Sequence, residues 1–474
     1  MPPLMRPPIV NAISPHLLLM VALLVALLAP VGHASDVTLL HGTLPNGVRL
    51  LVRPETEPEI KKVAISLFVR LDAVAPEEEA IAEMVARTLF YGTPNRTENG
   101  ILTLAAFAGN DIQVLSTPQY VAITYVTSPS QLTEAVHLLC DCLKSADFRP
   151  ESLHSALKTQ RTERDRTQTD PFEMAKQRLR ADLNRNGSDL DSLQRVSQRQ
   201  AQEFFRTHYV PANTVISVAG RVDPQQTLRL FTAFLLDYTR SAPNRFSSPQ
   251  EPVPLSAEKE TLPNKHNAPP TILPSSTGVA YVLVGTSAPA VTSPDYPAFT
   301  VLETLLGGGH ASRLFVGTRE RLGVGYQVGA LYQADRFDPL ILSIQWDAQR
   351  KPSIPYSVVP ATSRTGTNRK EEGQPNTSMP RLLNDLLDDL ISHAPTEAEL
   401  ERARNFAIGR DAIRHELLRD RAFFPGWYET LGLHYTFDRE LPALLAKVTR
   451  EDLLRVARIY LDRRATVQVL PPTR

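Results

Sequence analysis

Two blocks of this sequence repeat the same alternation of short apolar strands and longer helices, and a stretch rich in proline and serine at 241–276 separates them. In each block a strand pattern, at 61–71 and at 279–285, precedes a helix. The chain of 474 residues is too long for one ordinary hydrophobic core. These features predict a duplicated α+β unit, with a first domain at 35–240, a linker at 241–276 and a second domain at 277–474.

Composition narrows the class of protein further. The second block carries an insert at 350–380 that is rich in Pro, Ser, Thr, Lys and Arg, and we interpret it as a solvated surface loop. The chain has 51 Lys plus Arg and 51 Asp plus Glu, so its formal net charge is zero. Nucleic-acid binding requires a basic surface, so this balance argues against such a partner.

The N-terminus predicts an export signal at 1–34. Arg6 is followed by an uninterrupted apolar run at 17–29, which is too short to span a bilayer as a helix. Gly32 and Ala34 are small residues at the positions that a signal peptidase requires, so we expect cleavage after Ala34 and a periplasmic location. An uncleaved membrane anchor is the alternative.

The segment 80–93 has a distinctive pattern. It reads A-I-A-E-M-V-A-R-T-L-F-Y-G-T, and its apolar residues recur at helical spacing. It resembles the signature helix of the pitrilysin/insulinase-type (M16) metallopeptidases, roughly G-L-A-H-F-L-E-H-M-L-F-K-G-T. That family pattern has two zinc-binding histidines and a glutamate base. The corresponding positions here are Glu83, Ala86 and Arg87.

These substitutions remove the chemistry of a zinc peptidase. A catalytic zinc needs three protein ligands and a base near its bound water. Ala86 supplies no base, and Arg87 is a permanent cation. The resemblance places the family's third ligand close to Glu163, in a long helix. We therefore expect no metal in this chain, and Glu83, Arg87 and Glu163 could form a salt-bridge cluster instead. The sequence has no H-x-x-E-H or H-E-x-x-H elsewhere.

The second block retains another pattern of the family. Residues 305–326 read L-L-G-G-G-H-A-S-R-L-F-V-G-T-R-E-R-L-G-V-G-Y and resemble L-G-G-G-x-x-S-R-L-F…R-E-x-x-G-L-x-Y. The resemblance implies that Arg319 and Tyr326 position a substrate and stabilise its developing oxyanion. The alternative is that Arg319 pairs with Glu320 or a nearby carboxylate, and that Tyr326 is a half-buried aromatic residue.

The resemblance also implies that substrate peptides pair with an edge strand of the first domain. The family usually has N-A-x-T there, whereas this chain has Gln113 followed by V-L-S. We therefore expect peptide capture by strand addition at Gln113 to be weakened.

The resemblance, which covers nearly all of the chain after the export signal, implies two similar domains. Each has a mainly antiparallel sheet packed with helices, and together they form a clam-like half-chamber. The functional hypothesis is a non-catalytic subunit that pairs with a separately encoded M16 chain carrying H-x-x-E-H. That partner would hold the zinc, and Arg319 and Tyr326 would assist its hydrolysis of peptides. The alternative hypotheses are a peptide-binding or scaffold protein of the cell envelope, and a self-sufficient zinc peptidase with an unrecognised ligand set.

Overall fold

A computed structural model describes residues 39–71, 78–109, 112–183, 190–239, 269–275, 277–320, 323, 325–336, 339–347 and 375–471. The predicted export signal at 1–34, most of the predicted linker and most of the predicted insert lie outside the described residues. No helix in the described ranges combines the length and the apolar character that crossing a membrane would require.

The described residues form two main sheets and one short hairpin. The strands are β1 Leu40–Thr43, β2 Arg49–Pro54, β3 Val63–Arg70, β4 Gly92–Thr93, β5 Arg96–Thr97, β6 Gln113–Ser116, β7 Tyr120–Thr127, β8 Thr214–Gly220, β9 Thr271–Pro274, β10 Val279–Thr286, β11 Gln327–Leu331, β12 Leu340–Asp347 and β13 Arg464–Leu470. The first sheet has the order β1-β2-β8-β3-β7-β6, the second has the order β11-β12-β10-β13-β9, and β4 pairs with β5.

The helices surround these sheets. They are α1 Glu79–Thr88, α2 Glu98–Ala108, α3 Leu132–Ser145, α4 Pro150–Thr169, α5 Pro171–Asp182, α6 Leu190–Gln194, α7 Gln198–His208, α8 Pro224–Phe234, α9 Tyr296–Gly307, α10 Arg313–Phe315, α11 Pro375–Ser392, α12 Glu397–Arg414, α13 Leu418–Thr430, α14 Phe437–Lys447 and α15 Arg450–Tyr460. Short 3₁₀ turns occur at Pro129–Gln131, Pro211–Asn213 and Ala334–Arg336, and one π turn occurs at Val316–Glu320.

The two sheets share one topology, which confirms the predicted duplication. The five strands β2-β8-β3-β7-β6 correspond to β9-β13-β10-β12-β11. The first pair is parallel in each sheet, and the three remaining pairs are antiparallel. The intervening helices follow in the same order, so α1, α4 and α5 in the first half correspond to α9, α12 and α13 in the second.

Strand β3 shows how the sequence directs the first sheet. Every residue of V-A-I-S-L-F-V-R is buried, as expected for a central strand covered on both faces. The odd-numbered residues from Val63 to Val69 belong to the main core, where α1 packs. The even-numbered residues face α13, a helix of the second half, and the ring of Phe68 lies 5.2 Å from that of Phe423.

One helix of each half packs on the sheet of the other half. Helix α13 lies so close to the first sheet that a Cβ atom at Gly426 would be 2.6 Å from the ring of Phe68. Helix α5 of the first half packs in the same way on the second sheet, where a Cβ atom at Gly285 would be 2.8 Å from Leu179 and from Leu183. The exchange makes the halves interdependent, and the described residues from Leu40 onward form one compact unit.

Ion pairs reinforce this exchange. Arg421 of α13 donates to Glu55, which follows β2, with 3.0 Å between Nη1 and Oε2. Glu55 is only 5% exposed and also pairs with Arg53 at 3.0 Å. A buried carboxylate is costly without a cation, so Glu55 links the position of α13 to the first sheet.

Several element boundaries differ from the sequence predictions. The predicted linker ends earlier, because 271–274 form a strand that pairs in parallel with β13. The predicted insert also ends earlier, because α11 begins at Pro375. The helix predicted within 80–93 stops at Thr88, and Gly92–Thr93 pair with Arg96–Thr97 as a hairpin. At 271–274 and at 92–97 a strand pairing sets the boundary, and local composition does not reveal it.

Candidate functional site

Helices α1 and α4 bring the degenerate zinc-motif positions together. Arg87 lies one turn after Glu83 and donates from Nε to Oε1 at 3.0 Å. Its Nη1 lies 3.7 Å from Oε2 of Glu163 on α4. Gln160 donates to that same carboxylate oxygen at 2.6 Å. The salt-bridge cluster that the sequence left as one alternative is therefore present.

This arrangement does not fit a zinc ion. The guanidinium of Arg87 lies between the two carboxylates, where it supplies the positive charge that a metal would otherwise supply. Ala86 is fully buried and offers only a methyl group where the family has its general base. Across the described ranges, no group of three His, Cys, Asp or Glu side chains could hold a metal. No hydrolytic step follows from these residues.

The electrostatics of this helix face favour a cation. Glu79 precedes Glu83 by one turn, and its pKa is raised by burial and by the negative charge of Glu83. Carboxylates at this spacing repel each other. Arg87 relieves part of that repulsion, because it pairs with Glu83 and Glu163 at once.

The second candidate group, Arg319 with Tyr326, lies where a short helix leads into an edge strand. Ser312 accepts a hydrogen bond from the backbone N–H of Phe315 and starts α10, and the chain continues as a π turn over Val316–Glu320. Such turns often occur at functional positions. Arg319 stands on this turn with its guanidinium 5.6 Å from the ring centroid of Phe315.

Tyr326 is anchored by its backbone and exposed at its side chain. Its N–H donates to the carbonyl of Gln345 at 2.6 Å, which holds it at the start of β11. The carbonyl of Tyr326 accepts from Nη1 of Arg319 at 3.5 Å. The residue is 75% exposed, so the alternative of a half-buried aromatic is wrong. The other alternative is also not observed: among the described residues Arg319 contacts the Phe315 ring and the Tyr326 carbonyl, and it forms no ion pair with Glu320 or another described carboxylate.

Gln113 begins β6, which ends the first sheet on one side. Its side chain is exposed, and its Oε1 accepts a hydrogen bond from Nη1 of Arg419 at 3.3 Å. Arg419 belongs to the first turn of α13, so a residue of the second half reaches the edge strand of the first.

The predicted residues therefore form three groups. Glu83, Ala86, Arg87 and Glu163 lie together on α1 and α4, whereas Arg319 and Tyr326 lie together before β11. Gln113 stands on the edge strand with Arg419. Within the described ranges, no hydrogen bond or ion pair connects one of these groups to another.

Sequence reasoning missed the residues that support these groups. Arg313 donates to Glu399 from Nε at 2.8 Å and to Asp389 from Nη1 at 2.8 Å, and it fixes the short helix that carries Arg319. Its place inside S-R-L-F is the sequence signal that could have identified it. Arg419 had no such signal, because its contact with Gln113 spans 306 residues of the chain.

Two family models match adjacent stretches of this chain. Residues 52–194 match the family model described as Insulinase (Peptidase family M16), and residues 195–365 match the one described as Peptidase M16 inactive domain. An uncharacterized zinc protease of Streptomyces coelicolor is 22% identical over 451 residues, covering 92% of this chain and 90% of its own. An uncharacterized zinc protease of Mycobacterium tuberculosis is 24% identical over 459 residues, covering 94% and 95%.

Solved structures share the fold. A protease from Helicobacter pylori superposes with a TM-score of 0.71 at 17% identity, covering 92% of this chain and 99% of its own. A structure from Pseudomonas fluorescens described as a peptidase M16 inactive domain gives 0.69 at 14% identity, covering 92% and 98%. The two adjacent family matches and the duplicated α+β topology lead to one conclusion: this chain belongs to peptidase family M16.

Proposed function

We propose that this chain is a non-catalytic M16 subunit that pairs with a zinc-bearing M16 chain and contributes Arg319 and Tyr326 to peptide hydrolysis. The observation that carries the proposal is the contrast between the degenerate zinc-motif positions on α1 and α4 and the pair Arg319 and Tyr326. The charged zinc-motif positions are neutralised by internal ion pairs. Arg319 and Tyr326 instead expose their side chains, and the Arg319 guanidinium donates to the backbone carbonyl of Tyr326.

The chemistry of Arg319 and Tyr326 suits a role in another chain's active site. Peptide hydrolysis builds negative charge on the carbonyl oxygen of the scissile bond, and preorganised donors lower that barrier. The backbone of Tyr326 is fixed to β12, and Phe315 and the Tyr326 carbonyl orient Arg319. The backbone that carries both side chains is therefore held in place before a substrate arrives.

The partner would supply what this chain lacks. A zinc ion with three protein ligands activates the attacking water, and a carboxylate base takes its proton. An M16 chain with an intact H-x-x-E-H would carry both. We place the assembly in the cell envelope, since an export signal is expected at 1–34.

The test begins with the purification of the tagged chain from the envelope fraction of its native cells. We expect a stoichiometric second chain that carries H-x-x-E-H, with zinc and peptidase activity that this chain lacks alone. Tyr326→Phe should then lower kcat of the complex about 10²-fold, a typical cost of losing one oxyanion donor, and leave assembly unchanged.

A matched control separates this role from general damage. Tyr91→Phe removes another partly exposed phenol that lies in the first half, and it should leave kcat unchanged. If the Tyr326→Phe complex cleaves peptides at the wild-type rate, the catalytic role is wrong and the chain acts as a scaffold. A monomer or homodimer without metal or activity would favour a peptide-binding protein.

A further inference from the structure

The two faces of edge strand β6 have different surroundings. Val114 pairs with Ile123 in the register and packs against the main core on the side of α1. Gln113 and Leu115 pair with Thr124 and Ala122 and therefore point to the opposite face, since side chains alternate along a strand. The N-terminal turn of α13 lies on that opposite face, as the contact between Arg419 and Gln113 shows.

Strand β6 is the last strand in the order of its sheet, with β7 on its one described side. A strand in this position presents a row of backbone N–H and C=O groups that an extended peptide can pair with. A peptide strand added there would lie about 4.8 Å from β6. The peptide residue opposite Gln113 would direct its side chain to the face that Arg419 occupies.

The Arg419 guanidinium has N–H donors that its described hydrogen bonds do not use. Its Nε donates to Asp420 at 3.2 Å and its Nη1 donates to Gln113 at 3.3 Å. A guanidinium carries five N–H donors, and the described contacts use only part of that set. Its side chain is 45% exposed, so solvent or a ligand can reach it.

We propose that Arg419 selects peptides with an acidic side chain at the position opposite Gln113 when they pair with β6. This inference rests on the proposed function, because it names the peptide class that the subunit would present to its partner. The carboxylate of the peptide would take over the guanidinium donors that face the amide oxygen of Gln113. An acidic residue fits because its carboxylate is a stronger acceptor for the Arg419 guanidinium than the amide oxygen of Gln113. A peptide residue with a neutral amide would only replace one weak acceptor by another.

The preference should be modest in size. An ion pair that stays partly exposed is worth little, because water and salt screen it, and Asp420 competes for the same guanidinium. We expect a roughly two- to fivefold tighter Kd for the acidic peptide, corresponding to an exposed charge pair.

The experiment measures peptide binding to the purified chain alone, without a partner. The probes are fluorescein-labelled, C-terminally amidated extended peptides of ten residues, in which each position in turn is Gln or Glu, and the readout is fluorescence anisotropy. Glu should tighten binding at one position and its alternate neighbours, and the gain should fall as sodium chloride rises.

Three variants make the result specific. Arg419→Gln should remove the preference for Glu, and Arg419→Glu should reverse it in favour of Gln. Arg229→Gln is the matched control, because Arg229 is an exposed arginine on α8, which packs against the other face of the same sheet. It should leave the preference intact.

The outcomes that overturn the inference are distinct. Equal binding of Gln and Glu peptides, or no binding of any peptide, contradicts it. A gain that appears only for peptides with a free C-terminal carboxylate, at any Glu position, means that the site reads a chain terminus. None of these results bears on the Tyr326→Phe assay, which measures catalysis by the complex, so failure of this inference and failure of the proposed function are distinguishable.

Discussion

Arg410 donates to both carboxylate oxygens of Glu303, with 3.0 Å from Nη1 to Oε1 and 2.6 Å from Nη2 to Oε2. The pair joins α9 to α12, which correspond to α1 and α4 of the first half. The first half has an arginine–carboxylate bridge between these same two helices, from Arg87 to Glu163. The charges are exchanged, because the arginine lies on the first helix in one half and on the second helix in the other.

The two bridges differ in burial, and this difference predicts different costs of removal. Arg410→Met leaves Glu303, which is 3% exposed, as an uncompensated buried carboxylate. We expect it to lower the free energy of unfolding by about 3 kcal/mol. Arg87→Met removes a bridge between partly exposed groups and should cost less than about 1 kcal/mol. Urea unfolding measures both variants.

A double variant tests whether the unpaired charge of Glu303 causes the loss of stability in Arg410→Met. The double variant Glu303→Leu with Arg410→Met replaces the pair by apolar side chains, and it should recover much of the stability lost in Arg410→Met. If the double variant is less stable than the single one, the cost does not come from an unpaired charge.

Because Glu83, Arg87 and Glu163 lie together on α1 and α4, we expect that a zinc site can be rebuilt there. The triple variant Glu83→His, Ala86→Glu, Arg87→His would supply two imidazole ligands and a base, with Glu163 in reach as the third ligand. We expect about one zinc per chain after dialysis, measured by mass spectrometry, and none in the wild type.

Adding Glu163→Ala to that triple variant tests the third ligand. Zinc affinity should fall at least about tenfold, because two protein ligands hold zinc poorly. Unchanged affinity would place the third ligand elsewhere on α4.

Two glycines lie where an exchanged helix meets the opposite sheet, and their substitution should cost different amounts of stability in the two halves. At Gly426 a new Cβ would meet the Phe68 ring at 2.6 Å and the Ser217 Cβ at 2.9 Å, and neither atom can move far. Gly426→Ala should therefore destabilise by about 1–3 kcal/mol. Gly285→Ala should cost less, because the ends of two leucine side chains can shift.

A third glycine serves as the control for this series. Gly409 lies in α12 with nothing within 4 Å of its added Cβ. Gly409→Ala should stabilise the chain by about 1 kcal/mol through helix propensity. Equal effects of Gly426→Ala and Gly409→Ala in thermal unfolding would contradict the close packing of α13.

His415 predicts a dependence of stability on pH. Its Nε2 lies 2.9 Å from Asp438 and its Nδ1 lies 2.8 Å from the carbonyl of Asp411, so both nitrogens face acceptors. Burial alone would lower the pKa of His415, but the hydrogen bond and charge of Asp438 and the nearby Asp411 raise it above its usual value. The positive charges of Arg410 and Arg414 act on the carboxylate of the neighbouring Asp411.

The sign follows from that raised pKa. The charged imidazole adds stability that is fully present below about pH 6.5, the usual value, and that is lost as pH rises through the higher folded value. The stability difference between wild type and His415→Asn should be larger at pH 6 than at pH 9. Denaturant titrations at the two pH values measure it, and a difference that grows with pH would be inconsistent with the assignment.

Some features could be predicted from local sequence because local interactions control them. The capping box at Thr396 is an example, because T-E-A-E at 396–399 has the required spacing, and in the structure Thr396 accepts from the N–H of Glu399 and Glu399 accepts from the N–H of Thr396. The repeated alternation of strands and helices and the loss of the zinc ligands could also be predicted, since both depend on residue types at fixed spacing. The identity of Ala86 excludes a base whatever the fold.

Other features depended on contacts between distant parts of the chain. Strand β9 lies in a stretch that reads as a linker, and it is a strand because β13 pairs with it. Arg419 reaches Gln113 only because α13 crosses to the first sheet.

The sequence by itself determined the family, the duplicated α+β plan and the absence of a zinc-peptidase motif, because each is encoded in short patterns. Only the tertiary structure decided that Arg87 bridges two carboxylates, that Tyr326 is exposed, and that each half covers the other's sheet. Those outcomes depend on the direction and burial of side chains, which the packing of distant segments sets.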